Sequence, residues 1–154
     1  MMTSSDLPLY TVENYSREES IGYLLGAAKA RVVSALDGEM LEAPITATQW
    51  GIMVHILEGN TKTAADLCRN LSCDTGSMTR MIDRLEERGL VRRERSTEDR
   101  RVVNIVPTEA GRSLPQELLP TVVKVLNHSL RGFSAEELEQ FKGYLRRFIN
   151  NLQG

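Results

Sequence analysis

Eight of the fifteen arginines in this 154-residue chain fall between Arg80 and Arg101. A guanidinium is a permanently charged planar donor. It pairs with phosphates, and with guanine edges, through two parallel hydrogen bonds. Arg80 and Arg84 stand about one helical turn apart. Just ahead of them lie Thr75, Gly76, Ser77 and Thr79, small residues that permit close approach and hydroxyls that can donate to phosphate oxygens. Further on, Arg95, Arg100 and Arg101 flank the turn Ser96-Thr97-Glu98-Asp99. From 91 to 101, five arginines face Glu94, Glu98 and Asp99, a local excess of two positive charges. The whole chain carries −2, so any affinity for a polyanion must come from this patch.

Other chemistries have little to work with. His55 and His128 lie far apart and no CxxC occurs, so no metal site is expected. There is no phosphate-cradling glycine loop and no nucleophile elbow. No catalytic residue and no cofactor are expected, and the chain does not read as an enzyme. Two cysteines, Cys68 and Cys73, do not make a disulfide scaffold. No 18-residue apolar run predicts a membrane span, and the first residues lack the pattern of a signal peptide. A cytoplasmic protein without membrane contact is expected. With 41% apolar and only 5% aromatic residues, its core should be aliphatic.

The elements that position the arginines follow from caps and periodicity. Residues 1–15 predict an extended arm whose Leu7, Leu9, Tyr10, Val12 and Tyr15 lie on some surface. Ser16 and Glu19 fit a capping box. They predict a helix from Arg17 to Ala43, roughly 40 Å long, stopped by Pro44. Thr46 and Gln49 predict a second box and a buried helix to Leu57, ended by Glu58, Gly59 and Asn60. A short helix spans Thr63 to Leu71. Asp74 caps the next, with Met78, Met81, Ile82 and Leu85 inward. Gly89 supplies a left-handed stop, and Leu90 packs back on Leu85. Two strands follow, Leu90 to Arg95 and Val102 to Pro107. Thr108 opens a fifth helix to Leu130, kinked by Pro115 and Pro120. Ser134 and Glu137 box the last.

The fold class is therefore mainly α, a winged helix-turn-helix lobe with N- and C-terminal dimerisation helices. The lobe is 46–107, and the helical region is 16–45 with 108–154. Helix 63–71, the turn and the helix from 74 have helix-turn-helix proportions, in which the second helix enters a major groove. Thr75, Gly76, Ser77, Thr79, Arg80 and Arg84 form its outward face. Asp83, Glu86 and Glu87 are placed to pair with these arginines, as on an ordinary solvated face. The last helix carries the stripe Leu138, Phe141, Leu145, Phe148, Ile149 and Leu152. Either a second chain or the first helix can cover it.

These residues resemble a family. TGSMTRMIDRLEERGLVRRERSTEDRR, Thr75 to Arg101, is similar to the recognition helix and wing of MarR (multiple antibiotic resistance regulator) transcription factors. The following VVNIVPTEAGR is similar to the second wing strand and the start of the fifth helix. The resemblance runs from about Ser16 to Leu152 in helix order and is sharpest from Thr46 to Arg112. It implies that Arg101 enters a minor groove and that Asp99 braces it. It also implies a homodimer that represses by binding a pseudo-palindrome in double-stranded DNA.

The resemblance further implies release by a small aromatic or phenolic acid, in a pocket to which Tyr23, Arg31, Trp50 and His55 would belong. Trp50, in an apolar helix, reads first as core, and His55 first as a structural histidine. A thiol switch at Cys73, beside the start of the recognition helix, is the alternative trigger. Core packing is the other reading of Cys73. The family's sensing cysteine lies near the N-terminus, where this chain has none. A winged helix used for protein contacts without DNA is the competing function.

Overall fold

The computed structural model describes residues 8–59 and 62–153. Leu7, with the rest of the first seven residues, and Asn60 lie outside the described residues. The elements follow in the order α1 (Ile21–Glu39), α2 (Ala47–Leu57), α3 (Ala64–Leu71), α4 (Thr75–Glu87), β1 (Val91–Arg95), β2 (Val103–Pro107), α5 (Glu109–Ser129) and α6 (Ala135–Asn151).

Short polar side chains set most helix starts. Thr46 and Ser134 close full capping boxes with Gln49 and Glu137. Asp74 and Thr108 accept from the N–H groups of Ser77 and Gly111. Each satisfies a donor that has no partner inside its helix. Thr63 and Asp66 form a further box that the sequence pattern left unread, since aspartate is not the usual partner in that motif.

The first helix corrects the sequence reading at both ends. Ser20, not Ser16, is its cap, and accepts from Tyr23 N–H at 3.3 Å. The arm supplies a second cap: Tyr10 Oη accepts from Ile21 N–H at 2.9 Å. The described arm is turned instead of extended, because Thr11 and Asn14 exchange side chain–backbone hydrogen bonds. At its other end α1 stops at Glu39, well before Pro44. There Met40 turns into the core, only 4% exposed, and Asp37 accepts from Ala47 N–H at 2.7 Å. Nineteen residues give about 28 Å, shorter than the expected strut. Helix α5 runs from Glu109 to Ser129 with Pro115 and Pro120 inside it.

β1 and β2 pair antiparallel, with Arg93 opposite Ile105 and Arg95 opposite Val103. Lys62 C=O accepts from Ile105 N–H at 2.7 Å, which ties the segment before α3 to the hairpin. Gly89 takes φ +70°, and Leu90 N–H bonds Leu85 C=O at 2.9 Å, the geometry of a left-handed helix stop.

Two hydrophobic cores result. One lies inside the lobe, around Ile52, Met53, Leu67, Met78, Ile82 and Leu85. The other joins α1, α2 and α5 through Leu36, Met40, Ala47, Val122 and Val125. Trp50 and Leu118 pack against both. Helix α6 holds no fully buried residue: Leu138, Leu145 and Phe148 of its stripe are half-buried, and Phe141, Ile149 and Leu152 are exposed.

Candidate nucleic-acid interface

Helix α4 is held by its inner face and leaves its first turn open. Met78, Ile82 and Leu85 are fully buried, whereas Thr75, Gly76, Thr79 and Arg80 are exposed and Ser77 is half-buried. A Cβ at Gly76 would meet nothing closer than 3.4 Å, so packing does not require glycine there. Thr79 Oγ1 donates to Thr75 C=O at 2.8 Å, and the Arg80 guanidinium donates to Ser77 Oγ at 3.3 Å. The Arg80 head is thereby drawn toward the helix N-terminus. Hydrogen bonds from Ser77, its hydroxyl and then its N–H, hold the Asp74 carboxyl below the usual range.

The wing presents its arginines on an ordered turn. Ser96 Oγ accepts from the N–H groups of Glu98 and Asp99, and Ser96 N–H bonds Val102 C=O. Asp99 then binds Arg101 three times: the backbone N–H at 3.0 Å, and Nε and a terminal nitrogen at 3.2 Å each. The Arg101 side chain is still 92% exposed. Those bonds, the side-chain ones first, lower the Asp99 carboxyl below its ordinary value. A bidentate pair of this kind restricts the guanidinium without covering it. Arg95 and Arg100 are exposed on the same hairpin.

The ion pairing expected on α4 is corrected. Arg84 is exposed, one turn on from Arg80. With Arg88 it lines a shallow cleft against Met40, Thr46 and Gln49, on the flank toward α2. Neither arginine pairs with a carboxylate among the described residues. Asp83 and Glu86 turn to the other flank and bind Arg93 of β1 instead. Strand alternation carried the signal for this: Val91 points inward, and so does Arg93.

Of the four residues expected at an effector pocket, Trp50 lines a cleft of about 340 Å³ between α2 and α5 whose walls include Val54, Leu57, Arg112, Pro115 and Leu119. Trp50 Nε1 donates to Pro115 C=O at 3.2 Å across it. Tyr23 is exposed, with the Arg17 guanidinium 5.8 Å over its ring, and Arg31 is exposed on the same helix. His55 Nδ1 lies 2.9 Å from Gly51 C=O, a bond it makes as donor. Arg112 was not anticipated, since only the tertiary fold brings its helix beside Trp50. Cys68 and Cys73 both pack against the lobe core.

The fold and this face define a winged helix-turn-helix protein. Residues 45–103, which hold the helix-turn-helix and most of the wing, match the model of the MarR family. Solved structures agree over most of the chain. A probable transcriptional regulator from Pseudomonas aeruginosa is 26% identical, with a TM-score of 0.73 over 85% of this chain and 98% of that one. BpsR of Bordetella bronchiseptica, whose DNA binding is regulated by 6-hydroxynicotinic acid, is 24% identical, with a TM-score of 0.76 over 87% and 96%. MarR from E. coli in its apo form is 24% identical, with a TM-score of 0.73 over 84% and 96%. Among the described residues, no helix is long and apolar enough to cross a membrane.

Proposed function

We propose that this chain is a homodimeric repressor that reads a pseudo-palindromic operator and is released by a small aromatic acid. The observation that carries the reading is the pairing of an open α4 start with a wing arginine braced by Asp99. In this reading Thr75, Gly76, Ser77, Thr79 and Arg80 meet the major groove. Arg101 enters the flanking minor groove, and Arg84, Arg95 and Arg100 meet the backbone. The apolar stripe of α6, with exposed Leu24, Val123 and Leu126, forms the contact with a second copy. Residues 46–107 act as the reading lobe, and the flanking helices set the spacing of two lobes.

The effector cleft is the one beside Trp50. Arg112 supplies a cation for a carboxylate, and the tryptophan with its aliphatic neighbours supplies walls for a ring. The Trp50–Pro115 bond spans α2 of the lobe and α5 of the helical region, so a ligand there acts where the two meet. The regulation of BpsR by an aromatic acid supports this class of effector. To release DNA, such a ligand must favour a lobe spacing that does not fit the operator.

The test is a titration of the protein against its own upstream DNA and a scrambled duplex, at several salt concentrations, with a panel of aromatic acids. Trp50 is the single tryptophan, so its fluorescence reports binding at the cleft directly. The expected result is selective binding of the upstream duplex and loss of it with at least one acid, in step with a Trp50 signal. Selective binding that ignores the panel but responds to peroxide and dithiothreitol would replace the effector with Cys73. Failure to select any sequence from random duplexes would leave the protein-contact reading.

A further inference from the structure

We infer that Arg93 is a positioning residue for DNA reading: it locks the wing to the recognition helix and holds two carboxylates of that helix away from the DNA. This rests on the DNA-reading function proposed above. Arg93 occupies an inward position of the hairpin, opposite buried Ile105, and its side chain is only 31% exposed. A charge at such a position is costly unless it is paired. Here it is paired from two sides. Arg93 donates to Asp83 Oδ1 at 2.6 Å and to Glu86 Oε2 through its guanidinium, and its backbone N–H donates to Glu86 Oε1 at 2.9 Å. Burial works against the charge, but the bonds to Asp83 and Glu86 outweigh it and keep the guanidinium charged.

Two consequences follow. The first is geometric. From Arg93 to the wing tip is at most about 20 Å of extended strand. A hairpin tilted by roughly 10° at its base would therefore move Arg101 by about 3 Å, enough to miss a groove edge. Arg93 lies between the pivot and the tip and bonds α4 at residues 83 and 86, so it fixes that angle. The second is electrostatic. Asp83 follows Arg80 by three residues and would meet DNA as a bare negative charge. Bound to Arg93, it and Glu86 share one positive charge, so half of their negative charge is offset without spending a cation of the reading face.

The experiment uses the full chain and a duplex selected from random sequence by the wild-type protein. Three variants are compared: Arg93→Ala, Asp83→Asn with Glu86→Gln, and all three changes together. The readouts are Kd against salt, guanine N7 methylation protection in the major groove, and hydroxyl-radical protection in the minor groove. For Arg93→Ala, Kd should rise roughly tenfold, the order expected when one network is broken. Minor-groove protection should blur while guanine protection and the salt slope persist. The triple variant should recover part of the affinity but not the minor-groove pattern. Asp83→Asn with Glu86→Gln keeps Arg93 and should still blur that pattern, so the inference is testable even if Arg93→Ala folds poorly. A salt slope lowered by about one, with both grooves weakened equally and no recovery in the triple variant, would make Arg93 a plain phosphate contact. A sharp minor-groove pattern in the double variant would also overturn the inference. If the wild-type protein selects no duplex, the DNA-reading function itself falls, and this inference with it.

Discussion

At the scale of single residues, the Asp99–Arg101 pair separates position from charge. The aspartate contributes no attraction to DNA, yet it restricts a side chain that is 92% exposed. Arg101→Ala should weaken duplex binding and lower the salt slope by about one, because one phosphate-region cation is lost. Affinity and slope that match wild type would remove Arg101 from the interface. Acid should act on this pair late. The Asp99 carboxyl is lowered in the folded chain, so the brace is complete above the ordinary aspartate range and is lost only as pH falls through the lowered value. A wing footprint that dissolves between pH 7 and 6 would point to a different titrating group. Arg84 and Arg93 show the limit of reading by residue type. Both are arginines in one basic window, yet Arg84 has no carboxylate partner among the described residues and Arg93 has two.

At the scale of elements, the junction of hairpin and α5 holds the reading face together. Leu90 C=O accepts from Thr108 N–H at 3.0 Å, and Thr108 Oγ1 donates to Gly89 C=O at 2.6 Å. Gly111 makes this approach possible: a Cβ there would lie 1.9 Å from the Leu90 carbonyl oxygen and 3.0 Å from the Met53 side chain. The backbone oxygen cannot yield without moving the wing. Gly111→Ala should therefore destabilise the fold by about 3 kcal/mol, the upper range for inserting a methyl into a packed site. Thermal unfolding should fall by roughly 10 °C. A melting temperature within a degree of wild type would show that α5 can shift without cost.

At the scale of the whole molecule, the proposed assembly rests on the exposed apolar surface. Phe141 and Ile149 are 45% and 50% exposed on a helix that has no fully buried residue. Replacing both with glutamate should leave the fold of one chain intact and abolish self-association. Sedimentation should then report a monomer at micromolar concentration. Binding to a two-half-site duplex should fall at least a hundredfold, because the second half-site contact becomes a separate event. A dimer with unchanged affinity would mean that other helices hold the two copies.

The features readable directly from residue order are local. Capping boxes at Thr46 and Ser134, the cap at Asp74 and the glycine stop at Gly89 depend on residues a few positions apart, and their spacing alone specifies them. The wing turn with its Asp99-x-Arg101 pair is local for the same reason. The ends of α1 were not legible, because Tyr10 caps one and the burial of Met40 ends the other, and both are contacts between elements. The tertiary structure likewise decided that Asp83 and Glu86 serve Arg93, that Trp50 meets Arg112, and that Gly111 must have no side chain. Each of these joins residues from different elements, and their approach depends on how two packed cores set helices and hairpin against one another. Short-range hydrogen-bond geometry is written into neighbouring residue types, whereas these long-range meetings are consequences of packing.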